Sequence, residues 1–241
     1  LRRQRQMCIR DRIRNTGGDN LGYVKVAVGY YNATGDTIDA EIASIPIDIL
    51  RPGQTSPFLF KRTPAAEVAR YEVVVSQFSV TKEEPYVDFE FSGHRSHVEY
   101  GYHHVVGLVE NTGSMNAGSV KVLAIFYDAS DRLLGYGTGS ALRSILTPGE
   151  ESPFEASGSA AGTPHHYTLV VEAQNTTAQP CTYLQVVSHK GRIEYSSYRV
   201  SGEVKNIGLS CVEGVKAIAA FHDAEGNIVA CGYDSGDPSP V

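Results

Sequence analysis

Apolar and polar residues alternate along most of this chain. In "SVKVLAIFY" at residues 119–127, every second residue is apolar, and side chains two positions apart share one face of a strand. That face consists of Val120, Val122, Ala124 and Phe126. The segments at 23–31 and 214–222 have the same alternation. We therefore predict that all three faces lie in hydrophobic cores. The opposite face, with Leu123 and Ile125, is expected to be a partly covered outer surface.

Landmarks recur about 95 residues apart. Asn15 in "RNTG", Asn111 in "ENTG" and Asn206 in "KNIG" are separated by 96 and 95 residues. Each is followed by an apolar run that contains a lysine, and then by an acidic or Asn-rich turn. A unit of about 95 residues can bury its own core, unlike the shorter units of solenoids. The repeat therefore predicts an all-β chain of tandem immunoglobulin-like antiparallel β-sandwiches.

Turn residues occupy fixed places in this pattern. Asp128 and Asp223 follow apolar runs, where an Asp side chain can accept hydrogen bonds from the backbone of its own turn. Pro52-Gly53 and Pro148-Gly149 predict tight turns, because Pro presets one dihedral angle and Gly supplies the other.

The landmarks divide the chain into units. Residues 13–96 form the predicted first sandwich, residues 97–194 the second, and residues 195–241 part of a third. Residues 1–12 are interpreted as a non-native segment, because "MCIRD" resembles the translation of a sequencing-library adapter. We expect linkers such as 92–101 to continue as strands from one unit into the next, giving a stiff rod.

The combined motifs resemble a known family. The pattern "VKVLAIFYDASDRLLG" followed by "LTPGEESPF" is similar to the FxLYD-type domain of bacteria and archaea. Its namesake segment would be residues 126–128 here, with residues 221–223 as a counterpart and residues 30–32 as a weaker one. The resemblance implies an immunoglobulin- or fibronectin-III-like sandwich in a secreted or cell-envelope protein, with no established activity.

Composition restricts the partners. The formal charge of -6 is unsuited to nucleic acid, which requires a concentrated basic surface. The chain contains no run of about 18 apolar residues, so we expect no membrane span within it. Cys181, Cys211 and Cys231 match no zinc pattern, and Cys211 and Cys231 are interpreted either as a disulfide or as small buried side chains.

Residues suited to chemistry are few and scattered. His97 and Glu99 share a strand face and could approach one metal ion, but exposed polar residues are the favoured interpretation. Asp128 and Asp131 could suggest calcium, although a hairpin turn suits them better. We find no nucleophile elbow and no phosphate-binding loop. The sequence therefore predicts a protein that is not an enzyme, with no metal and no cofactor.

Two functions remain. The preferred hypothesis is a structural module that spaces or displays something at a cell surface, with a protein or polysaccharide as partner. The alternative is a carbohydrate- or ligand-binding accessory module of an extracellular enzyme, in which tyrosine rings stack on sugars. The stacking candidates are Tyr100, Tyr102, Tyr195 and Tyr198. For these four side chains, packing between units is the favoured interpretation.

Overall fold

The chain folds into antiparallel β-sheets. The computed structural model describes residues 7–62, 68–195 and 197–235, and all regular structure in those ranges is β-strand. The prediction of an all-β fold is therefore confirmed. Ten strands precede residue 142: β1 Met7–Arg14, β2 Asn20–Tyr31, β3 Thr37–Ser44, β4 Ile49–Leu50, β5 Thr55–Arg62, β6 Arg70–Thr81, β7 Phe89–Glu99, β8 Tyr102–Asn111, β9 Ala117–Tyr127 and β10 Leu133–Ala141. Seven follow: β11 Ile145–Leu146, β12 Glu151–Ala160, β13 His166–Asn175, β14 Leu184–Glu194, β15 Ser197–Asn206, β16 Lys216–His222 and β17 Ile228–Ser235.

One seven-stranded sheet wraps around a core that we call the second core. Its strands pair in the order β13-β9-β10-β12-β8-β7, and β11 adds to β9. The largest fully buried side chains inside are those of Phe126, Phe154 and Leu146, followed by valines such as Val105 and Val122. Because β10 pairs with both β9 and β12, the sheet turns back on itself and encloses the core from both sides.

Glycines allow β10 and β12 to approach. A Cβ at Gly139 would lie 1.7 Å from the Glu155 carbonyl oxygen, and one at Gly137 would lie 2.6 Å from the Ser157 carbonyl carbon. No side chain fits between the two backbones there. The β10–β12 ladder therefore depends on the sequence "GYGTG" at 135–139.

A first core lies between two separate sheets. One sheet contains β2 with β3, β4 and β6 as partners, and the other is the β1–β5 pair. Strand β3 corresponds to β10 but has Asp39, Glu41 and Ala43 where β10 has glycines. These side chains keep β3 from pairing with β5 as β10 pairs with β12, so the first sandwich is left unclosed on this side.

A buried asparagine connects three parts of the second core. Asn111 is fully buried, and its Nδ2 donates to the Met115 and Leu146 carbonyl oxygens at 2.8 and 2.9 Å. Its Oδ1 accepts hydrogen bonds from the Tyr86 hydroxyl at 2.9 Å and from the Gly113 N–H at 3.2 Å. One amide thereby holds the β8–β9 turn, strand β11 and the segment before β7.

Asn15 makes the same backbone contacts in the first core. Its Nδ2 donates to the Asp19 and Leu50 carbonyl oxygens at 2.8 and 2.9 Å. Asn206 is exposed, and its Nδ2 donates only within its own turn, to the Ser210 carbonyl oxygen at 2.8 Å. The Asn of the "NTG" and "NIG" landmarks is thus a turn-closing residue.

The predicted turns are confirmed by their hydrogen bonds. Asp128 Oδ1 accepts from the backbone N–H groups of Ser130 and Arg132 at 2.8 and 3.0 Å, and these bonds lower the pKa of the Asp128 carboxyl. Asp223 accepts in the same way from Glu225 and Asn227. The Asp128 side chain is therefore used within a hairpin turn, as the sequence predicts.

The Pro-Gly pairs also form the expected turns. Gly53 and Gly149 both have φ of 76°. The bonds Gln54 N–H to the Arg51 carbonyl and Glu150 N–H to the Thr147 carbonyl, both 3.0 Å, close the two turns. Pro at the second position and positive φ at the third are the features of a type II turn.

Two sequence expectations are wrong. The apolar faces of β2 and β9 are buried, but in the third copy Ala217 is exposed and Phe221 is only half-buried. Within residues 197–235, β16 pairs only with β17, and nothing corresponding to β12 and β13 covers that face.

Residues 92–101 do not run from one unit into the next, because β7 folds back on β8 as a hairpin. The unit boundary predicted at residues 96 and 97 falls inside β7.

The four cysteines are free thiols. Cys181 and Cys211 are exposed, so Cys211 is neither in a disulfide nor a buried side chain. Cys231 is half-buried, and burial, followed by the nearby Glu155 carboxylate, raises the pKa of its thiol to about 11.

Strand β1 includes part of the predicted non-native segment. It pairs with β5, and its Ile9 is buried in the first core. Residues 1–6 lie outside the described ranges.

We predict that Asn111→Ala lowers the opening free energy of the β9 amides by about 2–4 kcal/mol, since two carbonyls and two donors lose a buried partner. Native-state hydrogen exchange measures this quantity. Asn206→Ala is the matched control and should change stability by less than about 0.5 kcal/mol. If both substitutions lowered stability by the same amount, burial would not be the reason why the Asn111 hydrogen bonds stabilise the protein.

We also predict that iodoacetamide at pH 8 modifies Cys231 at least about tenfold more slowly than Cys181 and Cys211, because only the thiolate reacts. The Cys231 rate should rise about tenfold per pH unit until the pH approaches its raised pKa, and then level off. Peptide mass spectrometry resolves the three sites. A Cys231 rate that is already constant above pH 9 would contradict the raised pKa.

Candidate functional site

The junction between the two cores is a candidate functional feature. Leu123 and Ile125 lie on the face of β9 that points away from the second core, and they are only 3% and 5% exposed. They belong to the hydrophobic cluster of the first core, with Ile9, Ile45, Ile47, Phe58 and Phe60. The expectation of a partly covered outer surface is wrong here, because the open side of the first sandwich receives these two side chains.

Polar contacts fix the same junction. The carboxylate of Glu172, on β13, accepts hydrogen bonds from the backbone N–H groups of Asp48 and Ile49 at 2.9 and 3.3 Å. Lys121 Nζ lies 2.7 Å from Asp48 Oδ1. Burial raises the pKa of the Glu172 carboxyl, and the Asp48 carboxylate acts in the same direction, whereas the two N–H groups and Lys121 oppose the rise. Glu172 thus gives the 45–49 loop a definite position on the second sheet.

The C-terminal hairpin contacts the second sheet in a comparable way. Strand β17 lies against β8 and β12, as β10 lies against β1 and β5. Arg95 Nη1, on β7, is 3.3 Å from Asp223 Oδ2 in the turn between β16 and β17. Consecutive parts of the chain are therefore in direct contact at both places.

The tips of two hairpins form the second candidate feature. Tyr100 and Gly101 connect β7 to β8, with φ of 47° and 82°. Two residues with positive φ between paired strands are typical of a type I′ turn. Tyr195 stands at the corresponding place after β14, with φ of 49°. Tyr100 and Tyr195 are 93% and 97% exposed.

The four predicted tyrosines do not pack between units. Tyr102 and Tyr198 are 55% and 58% exposed, and Tyr100 and Tyr195 are more exposed still. The favoured interpretation of these residues is therefore wrong. Among the described ring contacts, none joins two of the four. Tyr198, on β15, packs edge-on against Phe221 of the next hairpin, with ring centroids 5.6 Å apart. Tyr100 and Tyr195 are therefore the more freely exposed pair.

The histidine-rich hairpin has internal contacts. The rings of His97 and His104 stack with centroids 5.1 Å apart, and His104 Nδ1 lies 2.6 Å from Glu155 Oε1. His103 is buried, with its ring 5.5 Å from that of Phe126. Within residues 7–62, 68–195 and 197–235, no three His, Cys, Asp or Glu side chains form a group that could hold a metal ion.

The Glu-Tyr pair of the tips recurs in the sequence, and the residue before it extends the pattern. Val98-Glu99-Tyr100 and Ile193-Glu194-Tyr195 have the same pattern, 95 residues apart. The aliphatic residue is exposed in both, at 60% for Val98 and 79% for Ile193. The signal was present in the sequence, but only the structure shows that these recurring residues are on the surface.

Comparisons with known proteins leave the site to be interpreted from its own geometry. A scan against protein-family models, a search of curated proteins and a search of solved structures each find no match. The described part of the chain has no helix of the length and apolar character needed to cross a membrane.

Proposed function

We propose that this chain is a non-catalytic structural module of a longer secreted or cell-envelope protein, and that it serves as a spacer that displays its hairpin tips. The FxLYD-type resemblance and the recurring landmarks support this assignment to a repeat protein. The observation that carries it is the burial of Leu123 and Ile125 in the neighbouring core.

A spacer must transmit orientation from one module to the next. Domains in one chain move relative to each other unless their interface is large and hydrophobic. Here the first core is completed by side chains of the second sheet, so separating the two would expose both. Glu172 and Lys121 add directional contacts to the apolar ones. The junction therefore has the properties of a rigid connection.

We predict that the two cores tumble as one body in solution, with a single rotational correlation time from ¹⁵N relaxation. Leu123→Asp should make them reorient independently and should lower the stability of the first core by about 2–4 kcal/mol, because a charge enters an apolar site. The second core should stay folded, since Leu123 points away from it.

Ile42→Asp is the matched control for this experiment. Ile42 is an aliphatic residue on a central part of β3, but it is 66% exposed, so the same substitution should leave both tumbling and stability almost unchanged. Independent tumbling of the unsubstituted protein would refute the spacer proposal.

A further inference from the structure

Two hairpin tips have the same pattern of three residues: an aliphatic residue, a glutamate and a tyrosine. Val98-Glu99-Tyr100 and Ile193-Glu194-Tyr195 both end in a tyrosine that is more than nine-tenths exposed. Residues that recur in the cores and turns are explained by packing and hydrogen bonding. These three recur on the surface, where packing does not select them.

The backbone of the tips does not favour tyrosine. Tyr100 and Tyr195 have φ of 47° and 49°, a left-handed conformation that costs most L-residues roughly 1–2 kcal/mol. Asn or Gly at this position of a type I′ turn would avoid that cost. Tyr23 has a similar φ of 53°, so strain alone does not identify a site. It is the recurrence of an exposed, strained tyrosine at both hairpin tips that indicates a functional role.

The surrounding groups indicate the chemistry of the ligand. A freely exposed tyrosine ring offers an apolar face and a hydroxyl group at its edge. Beside Tyr195, the Glu194 carboxylate lies 3.3 Å from both Arg192 Nη2 and Arg199 Nη1, so acceptors and donors are held together there. At the Tyr195 tip, a flat ring beside such groups matches the apolar face and the hydroxyl groups of a sugar ring.

We propose that each tip binds one segment of a neutral polysaccharide, with Tyr100 or Tyr195 stacked on a sugar ring and Glu99 or Glu194 accepting hydrogen bonds from its hydroxyl groups. A neutral polymer is favoured over a polyanion because the chain as a whole has a net charge of -6, which repels polyanions. A repeating polymer can engage both tips, so two weak contacts reinforce each other. This inference goes beyond the spacer function and does not require a rigid junction.

Affinity electrophoresis of the full chain through gels that contain laminarin, xylan or galactomannan tests the proposal. We expect at least one polysaccharide to retard the protein. Tyr100→Asn and Tyr195→Asn should each weaken retardation about tenfold, and the double variant should abolish it. Because Asn suits the turn better than Tyr, thermal unfolding should show equal or higher stability, which separates lost binding from lost folding.

Tyr23→Asn is the matched control. Tyr23 is also 80% exposed with φ of 53°, but it follows Leu21-Gly22 in place of an aliphatic residue and Glu, so retardation should not change. The proposal is overturned if none of the three polysaccharides retards the protein, or if the Tyr23 substitution weakens retardation as much as the tip substitutions. Sedimentation with phosphatidylcholine vesicles that is lost in the double variant would instead assign the tips to a membrane surface. None of these outcomes bears on the rigid junction between the two cores, which the ¹⁵N relaxation experiment tests separately.

Discussion

The approach of β10 to β12 is the constraint on which the arrangement of this protein depends. Two backbones can form a ladder across the corner of a sandwich only if no side chain stands between them. In the second core, Gly137 and Gly139 meet that condition, and the sheet closes. In the first core, Glu41 and Ala43 occupy the corresponding positions, and β3 forms no ladder with β5. An unclosed sandwich leaves apolar side chains exposed unless something else covers them.

The second sheet supplies that cover. Leu123 and Ile125 fill the open side of the first core, and Glu172 holds the neighbouring loop by its backbone. The difference between glycines and larger residues on one strand thus leads to a joined pair of cores. Burial of Glu172 disfavours its charged form, but its carboxylate accepts two backbone hydrogen bonds that favour that form. The junction therefore combines apolar burial with directional hydrogen bonds.

Neither packing nor backbone conformation explains the tyrosines at the hairpin tips. Their tyrosines bury almost nothing and have a backbone conformation that favours other residues. In the cores, recurring residues have local physical reasons, such as the turn closed by Asn111 or the turn capped by Asp128. At the tips packing supplies no such reason, and the polysaccharide contact that we propose would account for the recurrence of these tyrosines.

The sequence by itself determined the strands and turns of this protein. Alternation at 120–126, the Asn of the "NTG" landmark, the Asp of the turns and the Pro-Gly pairs act over a few residues, so their effects can be read from a short stretch of chain. The tertiary structure alone decided how these parts meet. Whether Leu123 faces water or a neighbouring core depends on the closure of another sandwich, about 80 residues away. Whether residues 92–101 form a linker or a hairpin depends on the turn at Tyr100 and Gly101, whose φ angles the alternation pattern does not specify. These outcomes depend on contacts between distant segments, and a local pattern of polar and apolar residues contains no information about such contacts.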